Sequence, residues 1–275
     1  MKIRTVFLPL MLLGAAGMAS ADDAVHPEVS SRFNVDLGVF FPSREAILGA
    51  GLDVGEDIDF ADKFGLEKQY ETFALDFNWR FGEKWSASAQ YFETSGKAES
   101  VLDENLDWNG VVFQAGSSVQ ASTGFALYRA MVGRRFGDDE RTDFGVGIGL
   151  HWLELKAAIA GNIRVVTDTG QGIVFAEEAV AASAPLPNIG AWYQYSLSPR
   201  WALRARVDWF SAAVDEYDGT LLNWQVGANF SLTPHVGLGV AYNSFHLDVG
   251  VDNSRWYGTA ELNYDGPFAF LSVYW

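Results

Sequence analysis

Phe144-Gly145-Val146-Gly147-Ile148-Gly149-Leu150-His151-Trp152 decides the fold. The even positions are all apolar, while Asp143, three glycines and His151 hold the odd ones, a period of two that only an extended strand turns into two distinct faces. The same alternation recurs along the chain. Phe33, Val35, Leu37, Val39 and Phe41 interleave with Asn34, Asp36, Gly38 and Phe40, and Phe73, Leu75, Phe77, Trp79 and Phe81 interleave with Asp76, Asn78 and Arg80. Trp85, Ala87, Ala89 and Tyr91 alternate with Ser86, Ser88 and Gln90, and segments 189–197, 201–209, 222–232 and 236–242 repeat the pattern. In 126–136 the apolar face is Tyr128, Ala130 and Val132, because the opposite phase would put Arg129 among them.

The connections sort by length. Gly82-Glu83-Lys84, Ser198-Pro199-Arg200 and Thr233-Pro234-His235 are tight turns that carry one apolar face onto the next without a slip, and 137–140 keeps the same phase. Between them lie long segments, 42–69, 96–118 and 158–186. Short turns at one rim and long loops at the other are the layout of a closed antiparallel transmembrane β-barrel, in which no edge is left to expose unpaired backbone to lipid. The expected count is ten strands, with eight or twelve as alternatives, at 31–41, 70–81, 85–97, 120–136, 142–157, 187–197, 201–217, 220–232, 236–252 and 255–275. A two-residue turn at Asp218-Gly219 would set Trp209 opposite Ala228, Asp252 to Arg255 reads as another tight hairpin, and Gly266-Pro267 should bulge or bend the final strand.

Composition narrows the chemistry. The 275 residues include no cysteine, which excludes disulfides, thiolate metal sites and a cysteine nucleophile. Nineteen basic against 35 acidic residues give a net charge of −16 and leave no basic block for nucleic acid. Lys2 and Arg4, an apolar run over 6–16 and Ala19-Ser20-Ala21 form a secretory signal over 1–21, with a single barrel domain over 22–275. After residue 21 no stretch approaches the roughly 20 apolar residues of a membrane helix. Phe81, Trp85, Phe136, Phe144, Trp201, Phe230 and Trp275 fall near the short-turn ends and Phe41, Tyr91, Trp152 and Trp209 near the long-loop ends, two girdles at the headgroup levels.

The last residues, Phe268-Ala269-Phe270-Leu271-Ser272-Val273-Tyr274-Trp275, resemble the C-terminal assembly signal of Gram-negative outer-membrane proteins, although the usual terminal residue is Phe. Ile58-Asp59-Phe60 and Phe64-Gly65-Leu66, with Leu186-Pro187 and Gly266-Pro267, resemble a proteobacterial family of small OmpW/OmpA-like barrels. The resemblance implies an outer-membrane location, contact with lipid and lipopolysaccharide, and handling by the barrel assembly machinery through Phe268, Phe270, Leu271, Val273, Tyr274 and Trp275. It implies no reaction.

The opposite phase points Asp36, Asp76, Arg80, Arg129, Asp143, His151, Arg204, Arg206, Asp208 and Glu261 into the lumen. Such a set is either a charged constriction or a group of ion pairs filling a narrow barrel, and the narrow lumen favours filling. Glycines 145, 147 and 149 leave room for a groove or for an arginine opposite. Phe40, Phe92 and Phe210 also point inward, as packing. Ser244, His246 and Asp248 have the residue types of a catalytic triad, but i, i+2 neighbours on a strand stand about 6.5–7 Å apart and share the lipid-facing phase. No omptin-like pairing of acid and histidine surrounds His26, His151, His235 or His246, and no enzyme is expected; a hydrolase is the remote alternative. Asp57, Asp59 and Asp62 resemble part of a calcium loop, yet Asp62 stands where an EF-hand needs Gly and Lys68 where it needs Glu, so a solvated acidic loop is the plainer reading. No cofactor is called for. The expected function is that of a structural or surface-interaction barrel, with a narrow passive channel or small-molecule carrier as the alternative.

Overall fold

The computed structural model describes residues 25–51, 58–67, 71–108, 111–137, 139–167, 170–214, 217–252 and 257–275. The expected signal segment 1–21, Asp57 and residues 253–255 of the expected tight hairpin lie outside these. The strands are β1 (Phe33–Phe40), β2 (Ser43–Gly51), β3 (Ile58–Asp59), β4 (Thr72–Phe81), β5 (Trp85–Val101), β6 (Leu106–Trp108) and β7 (Val111–Phe113). They continue as β8 (Ser118–Phe136), β9 (Thr142–Thr167), β10 (Gly170–Ser198), β11 (Trp201–Val214), β12 (Tyr217–Thr233), β13 (Val236–Asp252) and β14 (Tyr257–Tyr274). Two short helices, α1 (Pro27–Ser30) and α2 (Phe60–Phe64), complete the described elements.

Among the described residues ten antiparallel strands close into a barrel in the order β1-β4-β5-β8-β9-β10-β11-β12-β13-β14, with β14 returning to β1. β2 continues the line of β1 upward along β14: Phe40 faces Phe268 and Ser43 faces Asp265, so the register runs unbroken past Pro42. Paired residues followed once around the wall run Phe33, Trp79, Ala87, Val132, Ile148, Ile189, Trp209, Leu222, His246 and Asn263, and return to the first strand at Glu45, twelve residues above the start. That stagger is the tilt that closing a sheet requires.

The two-faced pattern is as the sequence requires. Val146, Ile148, Leu150 and Trp152 are exposed on the outside, whereas Asp143 and His151 are buried within. Gly145 and Gly147 form neither a groove nor a berth for arginine. A Cβ at Gly145 would stand 2.2 Å from the Trp192 ring, and one at Gly147 would stand 2.5 Å from the Val132 carbonyl, so these positions let an indole and a neighbouring strand approach.

Four expectations need correction. The three long segments are not loops throughout. Residues 43–51 and 96–101 extend the wall, and 158–186 is largely the upper part of a β9–β10 hairpin whose strands have 26 and 29 residues. Trp209 faces Leu222 and not Ala228, because β11 and β12 keep one register up to Val214 opposite Tyr217; residues 215–216 lie outside the described residues. A slip by an even number of residues keeps every side chain on its face, so facial pattern alone could not detect it. β14 passes Gly266-Pro267 without a bulge; the tight spot is Phe41, whose carbonyl would lie 2.1 Å from a Cβ on Gly266. With no bulge to shift the phase, Glu261 shares the outer face of Leu271 and does not join the lumen.

Candidate functional site

The lumen has two stories. At the short-turn end the inward rows of strands that mostly do not pair with one another meet across the lumen as ion pairs. Arg129 grips Asp208 with two parallel hydrogen bonds, Nε to Oδ2 at 2.6 Å and Nη2 to Oδ1 at 2.7 Å, and gives Nη1 to Ser88 Oγ at 2.8 Å. Arg80 donates Nε to Asp143 Oδ2 at 2.6 Å, while Asp143 also accepts from Arg135 Nε at 3.0 Å and Trp192 Nε1 at 3.1 Å. Arg204 pairs with Asp36, lies 4.2 Å over the Phe270 ring and stands 3.6 Å from both Glu28 and Asp76. Arg206 reaches Asp76 at 3.5 Å, and Gln225 donates to the same carboxylate at 3.0 Å. A cavity of about 70 Å³ remains beside Arg204, Arg206 and Asp76, room for a few waters.

His151 sits where this story ends. Its Nδ1 lies 3.1 Å from Asn188 Oδ1 and its Nε2 3.1 Å from Asn223 Nδ2, which fixes a neutral ring with the proton on Nδ1. Both ring nitrogens are thus occupied, with Asp208 3.9 Å from Nε2.

The segment before the first strand closes the lower mouth. Pro27 at the helix start and His26 as its cap turn the chain inward, with His26 Nδ1 accepting from the Glu28 amide at 3.0 Å. Glu28 accepts from Asn229 at 2.8 Å and Gln194 at 3.3 Å, and its backbone carbonyl accepts from Arg80 Nη2 at 2.5 Å and Asn34 at 2.9 Å. The His26 amide donates to Ser196 Oγ at 2.9 Å. Burial without a charged partner pushes the His26 imidazole down to about 4. Sequence reasoning passed over Glu28, since a carboxylate outside every alternating segment carries no facial signal.

Above His151 the lumen turns apolar. Phe125 stacks on Tyr264 at 4.8 Å and meets Phe245 at 5.6 Å and Phe92 at 5.9 Å, and Phe92 meets Phe40 at 5.3 Å. Leu127, Leu153 and Ile159 are buried in the same cluster, with Phe210 against its edge. Over it lies a cap. In α2, Asp59 accepts from the amides of Ala61 and Asp62 at 2.8 and 3.1 Å, and Gly65 closes the other end in the left-handed region at φ 68°. Phe60 packs on Trp108 of the β6–β7 hairpin at 5.4 Å, and Lys63 pairs with Glu104, which holds that carboxyl below its usual range. The Asp59 carboxylate is therefore engaged as a helix cap, and among the described residues no three ligating side chains converge on a metal position.

Of the ten residues assigned to the lumen from sequence, nine lie there and eight take part in its ion pairs; His151 adjoins them, and Glu261 stands outside. On the outer face the structure brings together two residues that strand spacing alone would hold apart. Ser244 Oγ lies 2.9 Å from His246 Nε2, and the third partner is Asn263 of β14, whose Oδ1 is 2.6 Å from His246 Nδ1, rather than Asp248. Side chains leaning along the strand close a gap that the backbone repeat leaves open.

No family model matches the sequence, and no curated protein matches it. Solved structures do match in shape. The outer-membrane protease OmpT of Escherichia coli is 12% identical over 88% of this chain and 96% of its own, with a TM-score of 0.54. The Pseudomonas putida toluene transporter TodX (11% identical, 90% of each chain, TM-score 0.34) and the outer membrane protein OprG of Pseudomonas aeruginosa (10% identical, 88% and 95%, TM-score 0.36) also match. At such identities the likeness is one of fold: the chain is a small β-barrel of the outer-membrane type.

Proposed function

We propose that this protein is a lumen-sealed outer-membrane barrel that acts through what it displays, chiefly the long β9–β10 hairpin, and not by conducting solutes. One observation carries the reading: the lumen is filled twice over, by paired ions around Glu28 below and by an aromatic core under a cap above. A conducting barrel needs continuous water, and the buried Arg129–Asp208 pair and the Phe125 stack both stand in its way. The hairpin tip presents Ile173, Val174 and Phe175, all more than half exposed, beyond the reach of the wall. In this reading residues 1–21 direct export and are cleaved, 268–275 engage the assembly machinery, and the girdles set the barrel among phospholipid and lipopolysaccharide of a Gram-negative outer membrane. Single-channel recording in planar bilayers tests it. Silence is expected, and discrete steps that change when Arg204 or Arg206 is neutralised contradict it.

A second reading, a carrier for small apolar molecules, has one observation in its favour. β10 and β11 stop pairing above Ile189 and Trp209, although both strands continue. Pro185 and Pro187 supply no N–H donors there, and Leu186 and Phe210 line the parting between outer leaflet and apolar core. Photolabelling by a lipid-soluble aromatic probe at Leu186 or Phe210 supports this reading, and labelling confined to the outer face opposes it.

A further inference from the structure

The outer face of β13 and β14 carries a polar block with no part in the sealed lumen. From the short-turn rim upward the outward row of β13 reads Leu238, Val240, Tyr242 and then Ser244, His246, Asp248. On β14 the change from apolar to polar comes at Asp265, directly opposite Ser244, with Asn263 opposite His246. His246 also pairs with Leu222, which pairs with Trp209 of the upper girdle, so the block sits where acyl chains give way to headgroups and the ester linkages of lipids lie.

Its internal geometry is directional. Because Asn263 Oδ1 can only accept, the 2.6 Å contact puts the imidazole proton on Nδ1 and leaves Nε2 as the acceptor of the Ser244 hydroxyl at 2.9 Å. Asp265 Oδ1 stands 3.6 Å from Nε2. A hydroxyl, a base in the right tautomer, an orienting carbonyl and a carboxylate are the parts of a serine hydrolase site. His246 also lines a surface cleft of about 410 Å³ floored by Trp209 and Leu222 and walled by Asp248 and Glu261. Ser244 itself is 1% exposed at the inner end of the block, so a lipid must displace its neighbours to reach it.

We propose that Ser244, His246 and Asn263 form an esterase site on the lipid-facing wall, acting on acyl esters of outer-leaflet lipids. Ser244 Oγ attacks the ester carbonyl carbon as its proton passes to His246 Nε2. The carbon–oxygen bond of the lipid then breaks, and the departing alkoxide takes that proton, leaving an acyl-serine. Water gives a proton to Nε2 and attacks the acyl carbon; Ser244 leaves with the proton, and a fatty acid is released. Ester and water become alcohol and acid, with the base restored.

The test uses the full-length protein in two sets of vesicles, one of glycerophospholipid alone and one containing lipopolysaccharide, with released fatty acid measured by mass spectrometry. Release from at least one set, reduced about 100-fold or more by Ser244→Ala and about 10-fold or more by Asn263→Ala, is expected, and the set that responds identifies the lipid. In parallel, the unmutated protein is treated with a fluorophosphonate and the adduct mapped, which requires no variant to fold. An adduct on Ser244 is expected. Release no greater than that of empty vesicles in both sets, release untouched by Ser244→Ala, or an adduct absent from Ser244 overturns the proposal.

Discussion

The lower and upper stories of the lumen fill the same cylinder by opposite means. Below His151 the inward positions carry arginines, carboxylates and amides whose partners come chiefly from other strands and from the N-terminal segment. Above it they are rings and aliphatic chains in contact. The lower story is specific and unforgiving, since one missing partner strands a buried charge; the upper tolerates exchange but loses stability with every methylene removed. The difference teaches that sealing comes from both, while orientation of the N-terminal segment comes from the lower alone, because only there does Glu28 find its partners.

The largest expected effects break one story at a time. Arg129→Met leaves Asp208 buried without its partner and should cost about 3–5 kcal/mol in denaturant unfolding from lipid vesicles. Phe125→Ala should cost a similar ~3–5 kcal/mol through a cavity among Phe92, Phe245 and Tyr264. The two separate when the damage is repaired. Combining Arg129→Met with Asp208→Leu should recover most of the first loss, because both charges are then gone, and a double mutant no better than Arg129→Met would show that the pair is not an isolated buried couple.

A smaller effect concerns the plug. His26 is neutral when docked, with its imidazole held at about 4, whereas a free histidine gains its proton near 6.5. Docking is therefore fully favoured above pH 6.5 and weakens as pH falls from 6.5 toward 4, by up to about tenfold per pH unit, because only the undocked segment takes up the proton. Hydrogen exchange at the Val29 and Ser31 amides, both bonded to backbone carbonyls within the plug, should rise over that window beyond the intrinsic change, and His26→Gln should flatten the response. The smallest effect expected is that of Glu261→Gln, a change on the outer face, within about 0.5 kcal/mol of the parent in the same unfolding assay.

Strand number, closure and the lumenal phase were legible because one face meets lipid and the other does not, and a period of two records that contrast in every strand. Arg129 and Asp208 could be placed inward from their own neighbours alone. Their pairing could not, since it joins β8 to β11 across the lumen. What depends on distance along the strand was hidden: the β11–β12 register differs from the expected one by an even step, and facial alternation is blind to that. Glu261 was misplaced by an assumed bulge at Gly266-Pro267, where one residue of phase reverses a whole segment. The Ile58-Asp59-Phe60 and Phe64-Gly65-Leu66 motifs could be read, but not their use as the capped helix that closes the barrel top. Ser244 and His246 were set aside on backbone spacing, and only their side-chain directions bring them together.

The two-faced, water-excluding wall is tested most directly by a nitroxide walked along β12 from Leu222 to Phe230 in lipid bilayers, one introduced cysteine at a time in a chain that has none. Collision with oxygen should oscillate with a period of two, high at Leu222, Val226 and other outward positions, while Asn223, Gln225 and Asn229 stay protected from oxygen and from a water-soluble relaxing agent alike. Ready access of the water-soluble agent to those inward positions, or collision rates without alternation, would contradict the sealed barrel.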